Sequence, residues 1–311
     1  MWHLLSVAAA AIVSPGGKVL VVGAGPACVC AAKQAAVKGF STTAMMFPVD
    51  CEFGPPMVYG PSEEDLAKGD LPLTFMPIAG PDANEEAIES LATQAEGVIF
   101  VIDDEKTFGA PVIDTFIKPG GALKRVSVMS RYLNGQGMGF FAVSAKKAAN
   151  GEIWTAPAKA VADYKQMEST VAEKCAAAGA EYTVIRAGTL KGGASGDSEN
   201  DGGEASLLHP YYYTSKYVQQ DIVNWRMLFD CDNLAVDLVA GDTLPGPGSG
   251  AVFTATVKLG PGDSHRGAVS AALVEALRTP VAANRDFSIA AKEGRSFPSD
   301  AEWQALFKEA A

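Results

Sequence analysis

A doubly wound, mostly parallel α/β sheet is the fold this sequence predicts. Apolar, β-branched runs alternate with helical segments six times between residues 18 and 188. Parallel strands need a crossover between them, and a helix supplies it. The first run ends in glycines and opens directly into a helix, "VLVVGAGPACVCAAKQAAVKGF" at 19–40. A strand, a tight glycine turn and a helix form the first unit of such sheets.

The elements follow in order. "KVLVVGAG" (18–25) is a buried strand, and the helix after it stops at Gly39, because glycine accepts the left-handed conformation that ends a helix. "STTAMMF" (41–47) is the second strand. The stretch 48–70, dense in proline, glycine and acid, is expected to be irregular or a surface insertion. Strands follow at 71–80 and 98–103, with a helix at 84–97 between them. The segment 109–121 holds a helix, 123–130 a fifth strand, 156–179 a long helix ending at Gly179, and 181–188 a sixth strand. Together these make a Rossmann core over residues 16–190.

After Gly188 the texture changes. Residues 190–210 are a glycine and acid loop without the spacing of a calcium loop. A helix is expected at 211–230, strands broken by a Pro/Gly turn at 233–260, an amphipathic helix at 265–280, a strand at 286–290 and a closing helix at 300–310. Residues 191–311 are thus expected to form a small α+β cap packed on the core.

Composition narrows the function. The net charge of −11 argues against nucleic acid or an anionic membrane as partner, since both attract basic surfaces. The odd count of five cysteines, with no CxxC, fits reduced thiols. The three histidines, His3, His209 and His265, stand at no metal-ligand spacing, which argues against a zinc site or a Ser-His-Asp triad. The apolar N-terminus "MWHLLSVAAAAIV" is shorter than the ~20 residues that span a bilayer. It reads either as the remnant of a targeting peptide or as an extension packed on the body. No transmembrane segment is expected.

The first turn carries the chemistry. A dinucleotide cradle needs a tight turn, close approach of backbone to phosphate, and a helix starting beside the strand. Gly23 and Gly25 meet the first two requirements. Cys28 stands at the third glycine of GxGxxG, and Pro26, next to Ala27, has no N–H to give. "VVGAGPA" is also similar to FAD-dependent oxidoreductases, and "AGDTL" at 240–244 to their later Gly-Asp motif. The second strand, however, ends in "TTAMMF" without the carboxylate that family uses for the ribose. The same missing acid leaves NAD and NADP equally open. Cys28 and Cys30 beside a helix start read either as reactive thiols or as small buried hydrophobes.

The later segments carry a fuller resemblance. "GVIFVID", "LKRVSVMS", "DYKQMESTVAEKCAAAGAEYTVIRAGTL" and "HRGAVSAALVEALRTP…FSI" resemble, in order, the atypical short-chain dehydrogenase/reductases of the NmrA-like, NAD(P)H-binding branch. The stretch "DIVNWRMLFD…GDTLPGPGSGAVFTAT" resembles a plastid and cyanobacterial subgroup. The resemblance implies cofactor contacts at Gly23, Gly25, Pro26, Ala27, Cys28, Asp103, Lys165, Ala187, Gly188 and Thr189. It implies Ser130 as a hydrogen-bond donor to a substrate carbonyl, with Lys165 beside it. The family's Tyr-x-x-x-Lys pair is missing, because Val161 stands four residues before Lys165. Tyr164 adjoins Lys165 and points about 100° away on a helix. Tyr212 and Lys216 have the spacing but lie after the sixth strand.

Three functions are therefore open. The first is an NAD(P)H-binding Rossmann protein without assured catalysis. The second is a non-catalytic scaffold or assembly subunit of a plastid, photosynthetic complex. The third is an NAD(P)H-dependent reductase of a small carbonyl or alkene. The resemblance implies the chloroplast stroma, with the cytoplasm as the alternative.

Overall fold

The computed structural model describes residues 11–67, 69–103, 106–151, 158–193, 207–214, 232–244 and 262–311. An eight-stranded sheet runs through them in the order β3-β2-β1-β4-β5-β6-β10-β8. Its strands are β1 (Lys18–Ala24), β2 (Ser41–Met46), β3 (Leu73–Pro77), β4 (Gly97–Ile102), β5 (Arg125–Ser130), β6 (Glu181–Ala187), β8 (Ala235–Ala240) and β10 (Arg285–Lys292). All neighbours pair in parallel except β10 with β8. The chain winds outward from β1 to β3, then restarts at β4 on the other side of β1. In open α/β sheets, ligands bind outside the carboxyl ends of the strands at such a reversal, here the ends of β1 and β4.

Alternation along the strands feeds two cores. Val19 and Val21 of β1 face one core, and Leu20 and Val22 face the other. The first core is covered by α1 (Gly25–Val37), α2 (Pro48–Tyr59), α8 (Arg266–Arg278) and α9 (Asp300–Ala310). The second is covered by α4 (Glu85–Gln94), α5 (Ala110–Phe116) and α7 (Ala158–Ala178). Helix α1 is buried almost all round. Its alanines and cysteines are small enough for α8 to lie against it, and Gln34 donates to the Gly267 carbonyl at 2.9 Å across the contact. Gly39, at φ +83°, closes α1 while Phe40 N–H bonds the Ala35 carbonyl at 3.1 Å, the reversal that only a glycine takes without strain.

Three regions differ from the sequence expectation. Residues 48–70 are not irregular: α2 runs through Pro55 and Pro56, followed by α3 (Glu63–Ala67). Pro48 sits in the first turn, where its missing N–H costs nothing. Burial of Met57 and Val58 outweighs the bonds lost at the two internal prolines. A further helix, α6 (Phe140–Ala149), fills a stretch to which no element had been assigned. Residues 191–311 do more than cap the sheet. They supply β10 and β8, lay α8 on α1, and provide β9 (Asp263–His265), which pairs with β7 (Thr189–Lys191) at the end of the core.

Most of the helix expected at 211–230 lies outside the described residues; Pro210–Thr214 forms a 3-10 turn. Residues 1–10, Lys216 and most of the acidic loop also lie outside them. Among the described residues no helix is long and apolar enough to cross a membrane.

The closing helix is fixed by local chemistry. Ser299 N–H donates to the Glu302 carboxylate at 2.7 Å, and Glu302 N–H donates back to Ser299 Oγ at 3.4 Å. This capping box aims Trp303 and Phe307 into the core, with the Phe307 ring 5.1 Å from that of Phe287 on β10. Ser299→Ala is expected to cost about 1 kcal/mol, read as a lower denaturant midpoint with an unchanged slope.

Candidate dinucleotide site at the first turn

The site is built where β1 hands over to α1. Gly23 lies in register with Val101 of β4, and a Cβ on Gly23 would overlap the Val101 carbonyl oxygen. Gly25 turns the chain at φ +75°. The free N–H groups of a helix start attract an anion, helped by the helix dipole. Here Pro26 contributes none, so Ala27 is the decisive donor. Its N–H bonds Asp103 Oδ2 at 2.9 Å.

Asp103 follows β4, and its own N–H donates to the Ala24 carbonyl at 3.3 Å. Arg266, the first residue of α8, grips the same carboxylate, with Nε 2.8 Å from Oδ1 and 3.0 Å from Oδ2. Arg266 Nη1 also donates to the Gly192 carbonyl at 3.0 Å. Helix start, backbone donor and guanidinium thus converge on one negative charge. A phosphate needs the same three features, so the donor set fits a dinucleotide's pyrophosphate. In this arrangement the chain's own carboxylate holds that set.

Cys28 occupies the third glycine position without opening the cradle. It is fully buried, with Sγ 3.9 Å from the Val21 carbonyl. Burial pushes its thiol well above the usual range, and the Asp50 charge adds to the rise. Cys30 is buried too, with Gln34 Nε2 3.5 Å from its sulfur. These are the properties of small core residues rather than of reactive thiolates. Cys175, buried in α7, is likewise pushed up to about 12 by burial. Cys28, Cys51 and Cys175 form no disulfide among the described residues.

The loop after β6 forms a second group. Ala187 and Gly188 are buried. Gly188 N–H donates to Ser264 Oγ at 2.8 Å, and its carbonyl accepts from Arg131 at 3.2 Å. Thr189 N–H donates to Asn150 Oδ1 at 3.1 Å. The structure thus brings Gly23, Gly25, Pro26, Ala27, Cys28 and Asp103 together at α1. It joins Ala187, Gly188 and Thr189 to α6 and β9.

Ser130 and Lys165 are placed differently. Ser130 ends β5, is buried, and accepts the Tyr132 N–H on its Oγ at 3.1 Å. Helix α7 turns Tyr164, Met167, Val171 and Cys175 inward, so Lys165 stands exposed on the opposite side. Tyr164 OH donates to the Lys106 carbonyl at 3.3 Å. Glu168 takes two of the Arg186 donors, Nε at 3.0 Å and Nη2 at 2.8 Å, which explains the "K…E" helix as an anchor for β6. Tyr212 is buried, and its N–H donates to the His209 carbonyl at 2.9 Å.

Sequence reasoning missed a buried polar cluster near this loop. Lys146 of α6 pairs with Asp242 just beyond β8, with side chains only 4% and 5% exposed. Asp242 Oδ2 also accepts Gly135 N–H at 2.6 Å. Burial pulls the Lys146 ammonium below its usual range, and the Asp242 contact opposes that shift. Lys146 lines a cavity of about 20 Å³ with Arg186, Asn150, Gly188 and Ser288, room for one water. Asp242 belongs to the "AGDTL" read against flavoproteins; here its carboxylate holds a lysine. Arg266 was missed as well, because nothing local marks which carboxylate an arginine will meet. Among the described residues no His, Cys, Asp and Glu cluster could hold a metal ion.

No protein-family model and no characterised protein sequence matches the chain. Solved structures are similar in shape at low identity. A short-chain dehydrogenase/reductase from Veillonella parvula, in complex with NADP, is 14% identical, covers 91% of this chain and 99% of its own, and gives a TM-score of 0.49. A short-chain dehydrogenase/reductase superfamily protein from Agrobacterium tumefaciens with bound NAD is 11% identical, covers 94% and 81%, and gives 0.44. What assigns the fold is the chain's own strand order, a doubly wound Rossmann sheet with its reversal between β1 and β4.

Proposed function

We propose that this chain is an NAD- or NADP-binding Rossmann protein of the short-chain dehydrogenase/reductase type, with the pyrophosphate at the first turn. One observation carries the reading: the start of α1 already holds an anion, the Asp103 carboxylate, between Ala27 N–H and Arg266. Gly23, Gly25, Pro26, Ala27 and Cys28 would form the floor under the pyrophosphate. Asp103 would flank it, and Ala187, Gly188 and Thr189 would lie toward the nicotinamide. The nicotinamide, when bound, supplies hydride chemistry.

Binding without the usual reductase step is the form of this reading that the residues support. The family's tyrosine is absent, the Ser130 hydroxyl is buried against its own chain, and Lys165 faces outward. In a reductase, Ser130 and Lys165 would be the groups to polarise a substrate carbonyl. A structural role within a plastid assembly is the second reading, supported by the same closed hydroxyl and by the resemblance at 221–256.

The test is calorimetric titration with NADPH, NADH and FAD. NADPH or NADH is expected to bind in the micromolar range, and Gly25→Trp to abolish that binding while circular dichroism is kept. No dinucleotide binding, or unchanged affinity in the variant, would overturn the reading.

A further inference from the structure

Two groups at the first turn were not assigned together by the sequence: a carboxylate from the end of β4 and a guanidinium from the start of α8. Their geometry is that of a filled site. Asp103 uses Oδ2 for Ala27 N–H at 2.9 Å and both oxygens for Arg266 Nε at 2.8 and 3.0 Å. The pair is mostly buried, with Arg266 18% and Asp103 13% exposed. The turn is also tight around this carboxylate, since a Cβ on Gly25 would come within 2.9 Å of the Asp103 Cβ. A phosphate brought to Ala27 N–H would therefore meet a like charge at contact distance, which is strongly unfavourable in a partly desolvated site. The carboxylate and the phosphate cannot occupy the position together.

Resting on the dinucleotide reading above, we propose that Asp103 is an internal competitor for the pyrophosphate and that Arg266 is the phosphate-binding residue it masks. Binding exchanges one anion for another. Asp103 turns off the start of α1, Arg266 loses its carboxylate, and the phosphate takes both the guanidinium and the Ala27 N–H. The closed form then lowers apparent affinity in proportion to its population, because only the open fraction binds. Arginine suits such an exchange, since its planar fork accepts carboxylate and phosphate alike. The contact also ties β4, α1 and α8 together when no dinucleotide is bound, so the free protein is held closed by its own charge pair.

The experiment compares wild type, Asp103→Ala and Asp103→Ala/Arg266→Ala by calorimetric titration with NADPH and NADH, with thermal melts of each. The double variant avoids leaving Asp103 buried without its partner, so it tests Arg266 without an orphaned charge. Asp103→Ala is expected to bind at least tenfold more tightly than wild type, although its ligand-free melting temperature falls. The dinucleotide is expected to raise its melting temperature more than it raises that of wild type. The double variant is expected to bind at least tenfold more weakly than Asp103→Ala.

If wild type binds and Asp103→Ala binds equally or more weakly, Asp103 is no competitor and the proposal fails while the dinucleotide reading stands. If the double variant matches Asp103→Ala, Arg266 is not the phosphate-binding residue. If no folded variant binds either dinucleotide, the first-turn reading itself fails and takes the proposal with it.

Discussion

Asp242→Ala is expected to destabilise the fold by about 3–5 kcal/mol, the cost of breaking a buried ion pair from one side. Lys146 would be left with no partner carboxylate, in a place where its side chain is 4% exposed. Gly135 N–H would lose its acceptor at 2.6 Å as well, and an unmet buried donor adds to the penalty. The local consequence should reach α6, because Asn150 binds the Lys146 carbonyl at 2.9 Å and Thr189 N–H at 3.1 Å. Replacing both partners with apolar residues, as in Lys146→Met/Asp242→Leu, is expected to recover most of the loss, since no stranded charge remains. Equilibrium urea unfolding of the three proteins measures this. A loss below about 1 kcal/mol for Asp242→Ala would place the pair in the range of a solvated surface contact.

Gly23→Ala is the second large effect. The added methyl would run into the Val101 carbonyl of the adjacent strand, and backbone cannot move aside as a flexible side chain can. The β1–β4 pairing must spread at its carboxyl end, at a cost of about 3 kcal/mol. Gly25→Ala provides the contrast. Its strain comes from the positive φ, worth about 1–2 kcal/mol, and from the Asp103 Cβ at 2.9 Å, a milder approach than the overlap with the Val101 carbonyl oxygen at Gly23. Thermal unfolding should therefore rank Gly23→Ala well below Gly25→Ala. The reverse order would mean that β1 and β4 do not approach this closely at the first turn.

How far the fold could be read from the sequence follows from where its information is local. The six core strands were legible because each is a short apolar run between glycines or helical stretches, and α1 because it ends at Gly39. Helix α2 was not, since Pro55 and Pro56 read as breakers, and it is tertiary packing, of Met57 and Val58 among others, that accompanies its helical form. The ladder of β7 and β9 has three residues on each side, too few for any alternation to show. The placement of β10 and β8 in the main sheet depends on long-range pairing that no local pattern encodes.

The site divides in the same way. Gly23 and Gly25 could be found by spacing, and Asp103 by its position at the end of the fourth strand. That Asp103 turns toward α1 was hidden, because its partner Arg266 lies 163 positions further along. Lys146 and Asp242 are 96 positions apart, and each sits in a stretch with no periodic signal. Ser130 was located correctly at the end of β5, but the use of its hydroxyl by Tyr132 N–H depends on the turn that follows.

The measurement that bears most directly on the central claim is the amide resonance of Ala27, followed by nuclear magnetic resonance as NADPH is added. The expected result is a saturable shift of that resonance, tracking the affinity found by calorimetry, as its acceptor changes from carboxylate to phosphate. An Ala27 resonance that stays still while NADPH binds, or a protein that binds no NADPH at all, would contradict a dinucleotide site at the first turn.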